Sequence, residues 1–431
     1  MRDRVYLFFI ATYFAQGMVG IAYQPVSHLL KDTLGLTAAQ SATFIAWMTL
    51  PLLAKPLLGV LTDAFPLANR RRAPYLLLAS AATSAGWAAL ACTGNYSYWP
   101  VLTLLTIVNV GMAFSDVLCD GVMVELGKAR AKTGPYQAAQ LGTLYITLLA
   151  TGVGGGWLAQ HAPFRLVFGL TAVFPLFIFL STFAVPEKPV ENAAQGVRRL
   201  RRGMSSFLLN RSFWAAALVI LLFNFTPFLG TAQFYYQEDA LGFSRLFIGV
   251  LTSVGGIAGA LGAAAFWWLC GRGLDTSRLI RWSVLAGGPL TLLYLCYRGT
   301  VSAVVLTAFF GLAGVVMRLS LMDLLAQACP KHGEATAFAL FMSVFNLAAW
   351  ASNTLGARVY DAGASRAHGT MAVLIILGAA STLACWPLLR FIPLTEPANR
   401  EPRALYPAAP GSPCAPGTAG SGTVPAAQEP A

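Results

Sequence analysis

The sequence predicts an all-α membrane protein of twelve transmembrane helices, built as two six-helix pseudo-repeats. Three observations carry this. Of its 431 residues, 57% are hydrophobic and only 11% charged, whereas soluble domains carry about 25% charged residues. Apolar runs able to cross a bilayer, which takes about 20 residues of helix, recur along the whole chain. A polar, basic stretch at 186–206, PEKPVENAAQGVRRLRRGMSS, divides it near the middle.

The runs place helices near 5–29, 39–61, 74–93, 99–122, 137–158, 164–185, 212–235, 245–269, 278–297, 300–322, 335–358 and 370–391. Pro25, Pro51, Pro56, Pro227 and Pro289 fall inside them. None excludes helix, because neighbouring groups re-satisfy freed backbone in membrane helices. The expected organisation is a six-helix bundle at 1–186, a cytoplasmic linker at 187–210, a second bundle at 211–393 and a tail at 394–431. The tail is rich in Pro, Ala, Gly and Ser and is expected to be disordered.

The net charge of +12 is arranged by side, as lipid dictates, and not as a nucleic-acid patch. Six of the 29 basic residues fall in one set of loops (Lys31, Arg165, Arg245, Arg298, Arg358, Arg366) and two, Lys55 and Arg318, inside helices. The remaining 21 lie in the other loops and the termini, including Arg70–Arg72 and RRLRR at 198–202. Basic loops stay cytoplasmic, so both termini are expected inside, with the chain multi-pass in the inner (plasma) membrane. The first run is too long for a signal h-region and reads as an anchor.

The seven cysteines show no metal or redox spacing. Neither HExxH, GxSxG nor a P-loop occurs, so the sequence suggests no enzyme, no ATP-driven pump and no cofactor or metal. The halves echo one another faintly. Leu34-Gly35-Leu36-Thr37 matches Leu241-Gly242-Phe243-Ser244, with Thr37 and Ser244 placed to N-cap the next helix. Gly134 and Gly156 in helix five match Gly333 and Gly356 in helix eleven. A 6+6 carrier with binding at the repeat interface has this form.

The stretch AKPLLGVLTDAFPLANRRRAPY at 54–75 joins helices two and three. Gly59, Asp63 and Arg70, Arg71 and Arg72 resemble the loop motif of major facilitator transporters. The longer KPLLGVLTDAFPLANRRRAPY, with SDVLCDGVMVE (Asp116, Asp120, Glu125) in helix four, resembles the folate–biopterin transporter family. The resemblance implies a major facilitator fold and a secondary transporter, with a folate or pterin as substrate and protons as coupling ion. The motifs themselves cover only about fifty residues of the first half.

The residues suggest roles beside that resemblance. Gly59 is expected to let helices two and eleven approach, and Asp63 to hold an inner gate through charge-assisted hydrogen bonds; the arginines alternatively set topology alone. Lys55 inside the membrane either pairs with an aspartate, touches an anionic substrate or snorkels. Asp116 and Asp120, four residues apart, share one helix face and are candidates for proton coupling, or for an ion pair with Lys55 or the arginines. Arg318 sits at matching depth in helix ten, as a carboxylate anchor or as partner of Asp116 or Asp323. Tyr13 and Gln16 on helix one and Asn224 on helix seven are candidate substrate contacts, tyrosine for stacking and amides for edge pairing. Tyr235 and Tyr236 read as interfacial anchors, and the glycines of helices five and eight as packing surfaces. The expected protein is a monomer. Other organic anions or drugs remain open as substrates, as does a non-transporting assembly or pigment-delivery role for the same fold.

Overall fold

The computed structural model describes residues 2–130, 133–184, 211–271, 276–328 and 334–391. The expected linker at 187–210, the tail at 394–431 and Gly333 lie outside the described residues. Twelve helical stretches follow one another among those described: α1 (2–33), α2 (38–64), α3 (Ala73–Cys92), α4 (Tyr98–Arg130), α5 (Thr133–His161) and α6 (164–184) form the first half. The second comprises α7 (Arg211–Phe223, resuming over 231–240), α8 (Arg245–Gly271), α9 (276–296), α10 (Thr300–Ala328), α11 (Glu334–Ala362) and α12 (364–391). Nine spans among the described residues are long and apolar enough to cross a membrane, and shorter apolar helices at Phe213–Phe223 and Ile280–Cys296 accompany them.

Large apolar side chains face outward as well as inward: Leu57, Leu78, Leu180, Leu261, Val301 and Ile376 are all exposed. Lipid is the solvent that makes such a surface stable. Each half has its own core, one around Trp87 and Phe168, the other around Phe213 and Phe341.

The faint sequence repeat is a strict backbone repeat. α1 closes in a π-turn at Leu29–Thr33 and α7 in one at Tyr236–Ala240. In both, N–H groups reach back five and six residues: Leu34 to Leu29 and Leu36 to Leu30, Leu241 to Tyr236 and Phe243 to Gln237. The reversal needs a left-handed residue, and Gly35 (φ +64°) and Gly242 (φ +65°) supply it. Thr37 then caps α2 in a capping box with Gln40, and the Ser244 hydroxyl accepts the Phe247 N–H at 3.2 Å. Gly356 also has its expected setting, since a Cβ there would lie 1.8 Å from the Pro227 carbonyl oxygen.

The halves meet tightly along α5 and α8. A Cβ on Gly152 would come within 2.7 Å of Ser253 and Gly249, and one on Gly156 within 2.8 Å of the Arg245 carbonyl. Ser253 seals the contact by donating to the Leu149 carbonyl at 2.8 Å and accepting the Val153 N–H at 2.9 Å. These glycines are packing surfaces, as their spacing predicts.

Candidate functional site

Two helices break where they border the space between the halves. α2 passes through a 3₁₀ turn at Leu50–Leu52 before resuming at Lys55, beside Pro51 and Pro56. α7 opens between Phe223 and Thr231, around Pro227 and Gly230 (φ +72°). Broken helices leave backbone groups unpaired, and α11 supplies the partners. Asn346 donates Nδ2 to the Leu52 carbonyl at 3.1 Å, and Asn353 accepts the Thr231 N–H at 2.8 Å.

The breaks line adjoining cavities. One, of about 450 Å³, is bordered by Thr49, Asn224, Phe345, Asn346, Trp350 and Asn353. A second, of about 500 Å³, shares Ile45, Thr49 and Leu52 with it and continues along the first half to Gln16, Asn109 and Asp116. A third, of about 460 Å³, shares Thr226 and Leu229 with the first and runs into the second half. The shared walls make them bays of one central space, of the size that takes a drug-sized ligand.

Charges gather beside it. Lys55 of α2 forms an ion pair with Asp116 of α4, the side chains 12% and 24% exposed. Of the readings open for Lys55, pairing with an aspartate is therefore the one observed. Asp120, one turn along, accepts a hydrogen bond from the Tyr13 hydroxyl at 2.9 Å and has no ion-pair partner among the described residues. Tyr13 is buried, so in this state it supports Asp120 and offers no open stacking face. Gln16 lines the cavity with a buried Nε2 that has no hydrogen-bond partner. Arg318 of α10 stacks on Phe345, 4.5 Å from the ring centroid, and lies within electrostatic reach of Lys55. Its side chain is exposed, and Phe345, on which it stacks, lines the central space. It pairs with no carboxylate among the described residues: Asp116 is taken by Lys55, and the side chain of Asp323 lies outside them.

The loop motif resolves in part. The side chains of Asp63 and Glu125 lie outside the described residues. Gly59 faces α4, where a Cβ would touch Val117 at 3.5 Å. Arg72 lies against Gly121 of α4, its guanidinium 3.6 Å from where a Cβ on that glycine would be. Arg70 is exposed and Arg71 half-buried.

At the end carrying the α1–α2 and α7–α8 turns the halves are latched together. Lys31 binds Glu238 at 2.9 Å and also Asp239. Arg245 binds Asp32 at 2.6 Å and the Ala159 carbonyl at 2.8 Å. Thr37 donates to Asp361 at 2.8 Å. Tyr235 is buried and donates to the Leu36 carbonyl at 2.6 Å; Tyr236 is buried against His368 at 2.6 Å. Neither tyrosine is the interfacial anchor its position suggests, because the halves close over both. Sequence reasoning did not find the latch or the α11 amides. Asn346 and Asn353, seven residues apart on one face of an apolar helix, were the available signal for the amides.

Two pseudo-symmetric six-helix bundles around a charged central space, with broken helices at its walls, define a multi-pass membrane protein of the major facilitator fold. The same fold occurs in the nucleoside transporter NupG (TM-score 0.65, 13% identity, 91% of this chain and 100% of that one). It also occurs in a D-xylose–proton symporter (TM-score 0.67, 14% identity, 91% and 97%). Within that class, the chain belongs to the BT1 family, whose pattern matches residues 16–401. The folate-biopterin transporter of Synechocystis sp. is 29% identical over 405 residues, covering 90% of this chain and 81% of the relative. Folate transporter 2 of Plasmodium falciparum is 25% identical over 355 residues, covering 77% and 75%.

Proposed function

We propose that the protein is a secondary transporter that moves a folate- or pterin-like organic anion across the inner membrane by alternating access, together with a proton. The observation that carries this reading is Arg318, an accessible guanidinium beside a central cavity, unpaired among the described residues. A cation within a membrane span and without a carboxylate partner is expensive, so a site that keeps one suits an anion that comes and goes. A guanidinium binds a carboxylate through two parallel hydrogen bonds. Around it, Trp350 and Phe345 offer faces for a flat ring, and Asn224, Gln16 and Asn346 offer amide edges. The relatives named as folate and biopterin transporters support the choice of ligand.

Charge balance supports the coupling. Among the described residues Lys55 and Arg318 offset Asp116 and Asp120, so the site they form is neutral when empty. A bound carboxylate restores neutrality only if one proton enters with it. Asp116 is committed to Lys55, which leaves Asp120, held by the Tyr13 hydroxyl, to carry that proton. The latched end is the outer one in this reading, with both termini cytoplasmic, and the latch holds it closed while the site is reached from inside. The test is uptake in proteoliposomes with folate or biopterin, with and without an inward proton gradient. Gradient-driven accumulation of either compound supports the reading, and no uptake of either in active vesicles rejects it.

A further inference from the structure

The latch contains a group that its ion pairs do not use. His28, on the last turn of α1 before the π-turn, is fully buried, and neither ring nitrogen has a hydrogen-bond partner. An unsatisfied buried imidazole is destabilising unless something occupies it. Its Nδ1 lies 3.4 Å from Asp32 Oδ2 and 3.4 Å from Glu238 Oε1. The three donor atoms all lie within 4.8 Å of one another. Bonds of about 2.0–2.2 Å to a four-coordinate zinc put neighbouring donor atoms roughly 3.3–3.6 Å apart. Both measured edges have that length, which is long for a hydrogen bond.

We propose that His28, Asp32 and Glu238 form a binding site for a divalent first-row cation such as Zn²⁺. One nitrogen and two carboxylate oxygens select such an ion over Mg²⁺ or Ca²⁺, which prefer all-oxygen shells. Lys31 holds Glu238 by its other oxygen, Oε2, as outer-shell donors do at metal sites, whereas Arg245 binds the same Asp32 Oδ2 that faces His28, so guanidinium and metal share that oxygen. The same cations oppose the metal's charge, and Asp239, bound by Lys31, offsets part of that opposition. Two ligands come from α1 and one from α7, so a bound ion clamps the halves and keeps this end closed. Zinc thereby acts as an inhibitor of transport from the outer side.

The test uses the full-length protein in detergent, titrated with ZnCl₂ by calorimetry, and in proteoliposomes assayed for transport with and without zinc. The parent protein is expected to bind one zinc that is weakened at least tenfold in His28→Ala and in Glu238→Gln. Zinc is expected to slow transport by the parent and not by the variants. Glu238→Gln keeps the side-chain volume, so it reports even if His28→Ala fails to fold. Zinc binding that is absent in the parent, or unchanged in Glu238→Gln, overturns the proposal. In the first case the imidazole merely bridges the carboxylates; in the second the metal sits elsewhere, as at His368 or a cysteine. Calorimetry needs no substrate, so its failure is independent of the transport reading.

Discussion

Lys55 and Asp116, on different helices and 61 residues apart in sequence, form a largely enclosed ion pair one helical turn from Asp120, which has none among the described residues. The two aspartates share a helix face but not a setting, and their variants should therefore behave differently.

Removing one member of the Lys55–Asp116 pair strands the other. Breaking a buried pair from one side costs roughly 3–5 kcal/mol. Lys55→Met should lower the melting temperature of the purified protein markedly, and Lys55→Met with Asp116→Leu should regain most of the loss. Fluorescence-monitored thermal unfolding checks this, and a double variant no better than the single one contradicts it.

On the proposed mechanism, Asp120→Asn removes the proton carrier and leaves the ion pair and Arg318 untouched. Exchange of substrate at equal pH should persist while gradient-driven accumulation disappears. Asp116→Asn should lose both activities. Accumulation retained in Asp120→Asn at normal expression would show that the proton travels elsewhere.

Arg318→Gln should weaken binding of a carboxylate-bearing folate far more than of a neutral pterin. A hydrogen bond to a charged group contributes about 1.5–3 kcal/mol, which corresponds to roughly 10- to 150-fold in affinity. Equal loss for both ligands in a direct binding assay would place Arg318 in structure and not in recognition.

The latch should govern access to the closed end. Ser41, 2% exposed beneath Tyr235, is a sensor for it in a protein in which the exposed Cys92 and Cys296, and Cys270, Cys329 and Cys414, whose side chains lie outside the described residues, have been replaced by serine. Ser41→Cys should react slowly with an impermeant maleimide. Adding Lys31→Ala and Arg245→Ala should raise that rate several-fold.

Close approach of backbones should be the least forgiving feature. Gly356→Val would drive a side chain into the Pro227 carbonyl and should abolish correctly assembled protein on size-exclusion chromatography. Gly142→Ala, where a Cβ meets nothing within 4 Å, should leave the elution profile unchanged.

The amino-acid sequence by itself determined the all-α membrane class and the helices of the described residues. The reason is that lipid leaves the backbone no partner but itself, so a run of apolar residues has one outcome. It also determined the chemistry available at the site, because Lys55, Asp116, Asp120 and Arg318 are the kind of residues a membrane interior excludes unless they are used. Tertiary structure decided the pairings. Which acid meets Lys55 depends on how α2 is set against α4, and among the described residues Arg318 meets no carboxylate. The latch joins Lys31 to Glu238 and Arg245 to Asp32 across more than 200 residues of sequence, and local pattern carries no information at that range. The breaks at Leu50–Leu52 and after Phe223 are hinted at by proline. Their depth, and their stitching to Asn346 and Asn353, follow only once α11 is packed against α2 and α7.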